Sequence, residues 1–421
     1  MHFFEITGGN RLKGSIPISG AKNSALPILA ATILLEGDTI LHNVPDLADV
    51  RSMLNLLTRL GVKSERRPDG SLKARVEDEG NAHAEYELVS KMRASVCVLG
   101  PLLAKRRRAQ VSMPGGCAIG DRPIDLHIMG LQTLGADFEL LNGDVLLRAK
   151  RLKGTEIFLG GPFGSSVTAT ANVLMGTVLA EGRSIIASAA CEPEVTDLAN
   201  FLNACGARIT GQGTPEIAVE GVESLRGCEY KVIPDRIEAG TFMIAAAMTN
   251  GDVELVGARF DHLRAVVDRL RRIGVVVERG ERGIVVSSSR RLEPVSITTQ
   301  PYPGFPTDLQ AQAMALLSLA DGNSIITEKI YPDRFLHVGE LNRMGAQLRK
   351  EGPTVVIEGV KHLIGAPVMA SDLRASAALV LAGLVAKGIT RVQRAYHIDR
   401  GYEFIEKKLS AVGAEIRRLD D

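Results

Sequence analysis

A thiol set among glycines is the first place in this chain where chemistry can be sought. Cys117 stands between Gly115, Gly116 and Gly120, with Arg122 five residues on and His127 ten on. Glycine carries the largest backbone freedom, so the thiol rides on a loop that can adjust. A thiol among cations can serve as nucleophile or proton donor. An inert cysteine in a glycine-rich surface turn fits the same residues. The pattern then becomes helical. Asp121 reads as an N-cap, and Pro123 suits a first turn because its missing N–H is not needed there. Ile124, Ile128, Leu131 and Leu134 recur at near-helical spacing and give one packing face.

The elements that must position this loop follow from composition and repetition. A chain of 421 residues exceeds one ordinary core, so two or more domains are expected. Alternating apolar segments, many glycines and few aromatics indicate an α/β class. Charge is balanced, 50 Lys and Arg against 49 Asp and Glu, which excludes a broad basic face for nucleic acid. The basic run Lys105-Arg106-Arg107-Arg108 reads as a solvated turn. The cysteines, Cys97, Cys117, Cys191, Cys205 and Cys228, are odd in number and show no C-x-x-C spacing, so a reducing compartment is expected. The first residues lack a charged region followed by an apolar run, and the apolar stretch near 375–386 is too short for a membrane span. These features predict a soluble cytoplasmic protein with no membrane partner.

An apolar-Gly-apolar motif recurs at Gly61, Gly135, Gly206, Gly274, Gly345 and Gly413. The spacing is about seventy residues, so six copies of one unit fill the chain. Each copy reads as an Ala- and Leu-rich buried helix, a strand, a one-sided surface helix stopped by that glycine, and a final strand. No G-x-G-x-x-G follows a strand, which argues against a doubly wound nucleotide fold. The spacing predicts two pseudo-threefold domains of three units each, with the break near Cys228 to Ile233.

The repeat also supplies an internal control. Lys22, Arg93, Ser166, Asp235, Asp308 and Asp372 fall at the start of the buried helix in successive copies, joined by Asn23, Arg236, Glu238 and Arg374. N-capping, worth ~1 kcal/mol, accounts for Ser166, Asp235, Asp308 and Asp372. It does not account for Lys22, Arg93 or Arg374, because a cation at a helix N-terminus opposes the macrodipole. A bound anion reverses that penalty, so a polyanionic ligand at the helix starts is expected. The Gly160–Ser166 approach admits a phosphate loop or a plain turn. The Tyr331–Phe335 segment reads as loop packing. The polar, aromatic segment from Ala395 to Tyr402 occupies the same place in the sixth copy as the Cys117 loop does in the second.

Several stretches together carry a family resemblance. They are Gly20-Ala21-Lys22-Asn23-Ser24-Ala25-Leu26-Pro27, Met92-Arg93-Ala94-Ser95, the 115–127 segment, 190–197, Asp235-Arg236-Ile237-Glu238-Ala239-Gly240-Thr241, Phe305-Pro306-Thr307-Asp308, Asp372-Leu373-Arg374-Ala375-Ser376 and Asp399-Arg400-Gly401-Tyr402. On these the whole chain resembles the UDP-N-acetylglucosamine enolpyruvyl transferases (1-carboxyvinyltransferases). The related shikimate 3-phosphate enzymes share fold and chemistry but not the Gly-Gly-Cys loop or the 122–126 segment.

The resemblance implies an inside-out α/β barrel in each of two domains, residues 22–232 and residues 1–21 with 233–421, with the active site in the cleft between them. It implies transfer of enolpyruvyl from phosphoenolpyruvate to the sugar 3-hydroxyl with loss of phosphate, the first committed step of peptidoglycan synthesis. By similarity Cys117 donates the proton, forms a pyruvyl phosphothioketal adduct, and is the target of fosfomycin. Asp308 is the base and Asp372 tunes it, since paired carboxylates shift each other. Lys22, Asn23, Arg122 and Arg400 hold phosphoenolpyruvate, supported by Arg93 and Arg374. The nucleotide sugar meets Asn23, Arg93, Arg122, Pro123, Ile124, Asp125, Leu126, Ser166, Val167, Asp308 and Ile330. No metal or organic cofactor is implied, and sugar-nucleotide binding orders the Cys117 loop. Thr168 departs from the glycine usual after Ser-Val and threatens to crowd the diphosphate amides. Transfer to another acceptor, such as shikimate 3-phosphate, and non-catalytic binding of a nucleotide sugar remain as alternatives.

Overall fold

The computed structural model describes every residue except 1, 114–122, 290 and 421. Cys117, Asp121 and Arg122, with the loop and N-cap assigned to them, therefore lie outside the described residues. The described chain divides into two compact units. One comprises residues 20–113 and 123–233. The other comprises residues 2–19 and 234–420.

Among the described residues, each unit contains three four-stranded sheets of one repeated topology. In one of them Glu229–Lys231 runs parallel to Thr39–His42, which pairs antiparallel with Leu72–Val76, which pairs antiparallel with Val62–Arg66. The other sheets keep this order, one parallel step followed by two antiparallel ones. The chain's first strand, His2–Thr7, lies inside the last sheet, between Ile389–Gln393 and Glu415–Asp420. The second, Lys13–Pro17, pairs with Asp252–Val256.

The six motif glycines explain the repeat. Gly61, Gly135, Gly206, Gly274, Gly345 and Gly413 all have φ between 80° and 104°. A Cβ is disfavoured there, so glycine ends each surface helix and turns the chain into the next strand. Those helices bury one face only. Arg264–Ile273 buries Val266, Val267, Leu270 and Ile273, and its arginines lie on the other face, where Arg271 donates to Val277 O.

The apolar helices form the core. Lys22–Ala31, Leu99–Arg106 and Val167–Thr177 pack on one another or through the short 3₁₀ turns Thr32–Leu34 and Arg93–Val98. In the other unit Arg236–Met248, Gln310–Leu317 and Leu373–Val385 touch pairwise. Leu373–Val385 is buried from Arg374 through Leu384. No helix among the described residues is long and apolar enough to cross a membrane.

One local expectation is corrected. Pro123 is not in the first turn of a helix. The helix spans Asp125–Thr133, and Ile124 precedes it at φ −110°, ψ 17°. Proline disfavours helical geometry in the residue before it, not after it, so the placement follows from Ile124's own non-helical backbone. Ile124, Leu131 and Leu134 still form the buried face.

Candidate active site

The polar residues at the helix starts divide into caps and paired charges. Ser166 Oγ accepts from Ala169 N at 3.3 Å. Asp235 accepts from Ile237 N and Glu238 N at 2.8 and 2.9 Å. Asp372 accepts from Arg374 N and Ala375 N at 2.9 and 3.1 Å. Each satisfies amide groups that the helix leaves open, worth about 1 kcal/mol. Asp308 is different. It lies in the 3₁₀ turn Thr307–Leu309, whose N-cap position is Pro306, and its carboxylate is held by arginines instead.

Those contacts lie in the unit formed by residues 2–19 and 234–420. Arg334 Nη1 meets Asp308 Oδ1 at 2.9 Å, and Arg374 Nη2 meets Oδ2 at 2.9 Å. Arg374 is 3% exposed. Burial alone would weaken its hold on the proton, but the nearby carboxylates, Asp308 foremost, raise its pKa overall and keep it a fixed cation. The backbone is held as well: Gln312 Nε2 donates to Asp308 O at 3.0 Å and to the Tyr402 hydroxyl at 3.1 Å, and Tyr402 meets Thr241 at 2.8 Å.

Sequence reading missed two residues of this cluster. Arg334 comes from the Tyr331–Phe335 segment read there as packing, and it also donates to Thr307 Oγ1 at 3.0 Å. Glu328 is fully buried and accepts four hydrogen bonds: Thr299 Oγ1 at 2.7 Å, Thr307 Oγ1 at 2.9 Å, Ile330 N at 2.8 Å and Tyr331 N at 3.0 Å. One carboxylate thus fixes both the turn bearing Asp308 and the backbone at Ile330. Asp372 is linked to this cluster through Arg374, whose backbone it caps and whose guanidinium holds Asp308. Arg400 ends the 3₁₀ turn Ala395–Arg400, which packs on the helix that carries Arg374.

In the other unit, Lys22 is the first residue of its helix, where no side chain caps the amides. The charge that would oppose the helix dipole is met by buried Asp49, 3.1 Å from Lys22 Nζ. Arg374 and Lys22 thus have carboxylate partners within the protein, so their placement does not by itself require a bound anion. The turn after Lys22 and the half-buried Asn23 is held by the Ser24 hydroxyl on Asp197. Asp197 also accepts from Tyr230 Oη at 2.7 Å and Ile233 N at 3.3 Å. Burial raises the Asp197 pKa although these donors work against it. Asp49 was not singled out from sequence, and Asp197 appeared there only as the end of a family stretch, because their partners lie far away along the chain.

Arg93 Nη2 donates to Pro123 O at 3.3 Å, which joins two segments read as contacting the nucleotide sugar. The helix that begins at Asp125, with Leu126 half-buried, packs against Val167–Thr177. Thr168, the departure noted in the sequence, contacts the His127 ring. Asn172 Oδ1 accepts from Gly100 N at 2.6 Å, so its amide group faces Val96 O at 2.8 Å and His127 Nδ1 at 2.9 Å. This network assigns the His127 proton to Nε2, which points at Thr168 Oγ1 3.2 Å away. The Thr168 hydroxyl oxygen is thereby occupied as an acceptor, and its own proton stays available.

The Asp235–Thr241 stretch adds a buried titratable group. Glu238 bonds Lys408 Nζ at 2.6 Å and Ser19 N at 2.7 Å, and burial pushes its pKa from 4.5 up to about 7. The folded protein therefore binds a proton that the unfolded chain has released between these values. Stability from this group is full below pH 4.5 and falls as pH rises to about 7, by about 3 kcal/mol in all. Urea midpoints for Glu238→Gln are expected to lose this fall; a decline as large as in the parent would show that another group titrates.

Comparison with known structures identifies the fold class. The chain matches an enolpyruvyl transferase, NikO from Streptomyces tendae, with a TM-score of 0.88 at 25% identity over 99% of each chain. It matches EPSP synthase from Acinetobacter baumannii with a TM-score of 0.77 at 20% identity over 100% of each. The α/β fold is thus that of the enolpyruvyl transferases.

Sequence comparison narrows the class. Residues 6–409 match the model of the EPSP synthase (3-phosphoshikimate 1-carboxyvinyltransferase) family. The UDP-N-acetylglucosamine 1-carboxyvinyltransferase of Methylacidiphilum infernorum (isolate V4) is 53% identical over 420 residues, 100% of this chain and 99% of that protein. The enzyme of the same name from Lawsonia intracellularis is 52% identical over 99% of both. The chain belongs to the UDP-N-acetylglucosamine 1-carboxyvinyltransferases, within the EPSP synthase family.

Proposed function

We propose that this protein transfers the enolpyruvyl group of phosphoenolpyruvate to the 3-hydroxyl of UDP-N-acetylglucosamine and releases phosphate, the first committed step of peptidoglycan synthesis, in the cytoplasm. The observation that carries the reading is 53% identity along the whole chain to an enzyme of that name. Each unit is an inside-out α/β barrel, its three helices wrapped by three sheets.

The reaction is addition followed by elimination. Cys117 gives a proton to the vinyl CH2, which makes the adjacent carbon electrophilic. The sugar hydroxyl attacks that carbon while Asp308 takes its proton. One arginine holds each Asp308 oxygen and so fixes the carboxylate in place for that transfer. The tetrahedral intermediate then loses a methyl proton and phosphate. Lys22, Asn23, Arg122 and Arg400 bind phosphoenolpyruvate, with Arg93 and Arg374 behind them, so that fixed positive charge meets the developing anion. Asp372 acts by positioning Arg374. The nucleotide sugar lies along Asn23, Arg93, residues 122–126, Ser166, Val167, Asp308 and Ile330. In a side path Cys117 adds to phosphoenolpyruvate and forms a thioketal adduct.

Phosphate release tests the reading. Release is expected with UDP-N-acetylglucosamine and not with shikimate 3-phosphate; the reverse pattern would assign the other acceptor, and release with neither would leave only binding. Cys117→Ser should lose turnover. Cys117→Asp should keep turnover, because a carboxylic acid can donate the proton, and should lose the mass increase that fosfomycin gives the parent.

A further inference from the structure

Two cysteines with no part in the proposed reaction form a site of their own. Cys205 follows the helix Pro193–Ala204, and Cys228 lies in the segment ahead of the strand Glu229–Lys231. Their sulfurs are 3.3 Å apart, and both are free thiols. The backbones on either side are already fixed. Arg226 N donates to Cys205 O at 2.9 Å, Gly227 N to Glu36 O at 2.8 Å, and Ile40 N to Cys228 O at 2.9 Å. A disulfide needs sulfurs about 2.05 Å apart, so small side-chain rotations are enough to close this gap.

The pair is also asymmetric. Cys205 is buried at 3% exposure, while Cys228 is half-buried. The hydrogen bond between the two sulfurs lowers the Cys228 pKa and raises the Cys205 pKa. Cys228 is the less buried of the pair, so the first step is placed there. Cys97 offers a contrast: it is buried, and burial pushes its thiol up to about 12.

We propose that Cys205 and Cys228 are a site of reversible oxidative modification, closed to a disulfide by a hydroperoxide. The Cys228 thiolate attacks the peroxide oxygen, the O–O bond breaks, and an alcohol (water, from hydrogen peroxide) leaves. The Cys228 sulfenic acid then reacts with the Cys205 sulfur; the S–S bond forms and water departs with the Cys205 proton. In sum, two thiols and one hydroperoxide give one disulfide, one alcohol and one water. A dithiol reductant returns both thiols. The bond ties the end of Pro193–Ala204, which carries Asp197, to the segment that carries Tyr230, the partner of Asp197.

The test uses the full-length protein treated with hydrogen peroxide, alkylated and digested without reductant. A linked peptide holding Cys205 and Cys228, two hydrogens lighter than its parts, is expected. It should be accompanied by a rise of about 3–8 °C in the unfolding midpoint that dithiothreitol reverses. Cys228→Ser should give neither. Cys205→Ser should instead carry a trappable sulfenic acid at Cys228, which keeps the test sound if either variant is less stable. Cys228 found as sulfinic acid with Cys205 still open to alkylation would overturn the proposal, as would recovery of both as free thiols after peroxide.

Discussion

Asp308→Asn is expected to lower kcat by about 10²–10⁴-fold, the range that one positioned general base contributes. The substitution keeps size and shape, and it removes the charge that faces both Arg334 and Arg374. One amide face becomes a donor pointed at a guanidinium, so one arginine loses its acceptor. Because Arg374 is 3% exposed, a stability loss of about 2–3 kcal/mol should accompany the loss of rate. Calorimetric titration with UDP-N-acetylglucosamine separates the two effects. Binding within a fewfold of the parent, together with the lost turnover, assigns the proton transfer to Asp308; near-parental kcat would place the base elsewhere.

Glu328→Ala is the second large effect. The change leaves four donors without their acceptor in a buried place, two hydroxyls and the amides of Ile330 and Tyr331. A loss of about 3–4 kcal/mol is expected, read from denaturant midpoints at constant slope. Glu328→Gln should lose much less, about 1 kcal/mol. Oε1 receives three of the four bonds and survives as the amide oxygen, while the new NH2 group can donate to Thr307, whose hydroxyl also accepts. If alanine and glutamine variants were equally stable, the hydrogen-bond account of Glu328 would be wrong. Since Ile330 is read as a sugar contact, the alanine variant should also raise KM for the nucleotide sugar more than it lowers kcat.

What the sequence disclosed has a common physical basis: it was local. The six left-handed glycines admit almost no other residue, so their spacing shows the repeat directly. Caps are equally legible, because Ser166, Asp235 and Asp372 bond to amides two or three residues away. The charge at Asp308 looked like a fourth cap, and only its arginines distinguish it. Long-range partners left no periodic trace. Arg334 reaches back 26 residues to Asp308, and Asp197 reaches 173 to Ser24. Asp49 and Glu328 escaped notice for the same reason. The chemical roles came from family resemblance, and Cys117 and Arg122 lie outside the described residues.

The placement of the first strand bears on how the protein is made. All strands of the unit formed by residues 20–113 and 123–233 have been synthesised once residue 233 is added. The first nineteen residues cannot join their own unit then. His2–Thr7 must wait for Ile389–Gln393 and Glu415–Asp420, and Lys13–Pro17 for Asp252–Val256. At ordinary elongation rates the leading strand stays unpaired for roughly 10–40 s after residue 233 is added. The segment ahead of residue 20 is thus the last to find its place, and nascent chains cut short before Glu415 carry a bare strand edge that chaperones and proteases can recognise.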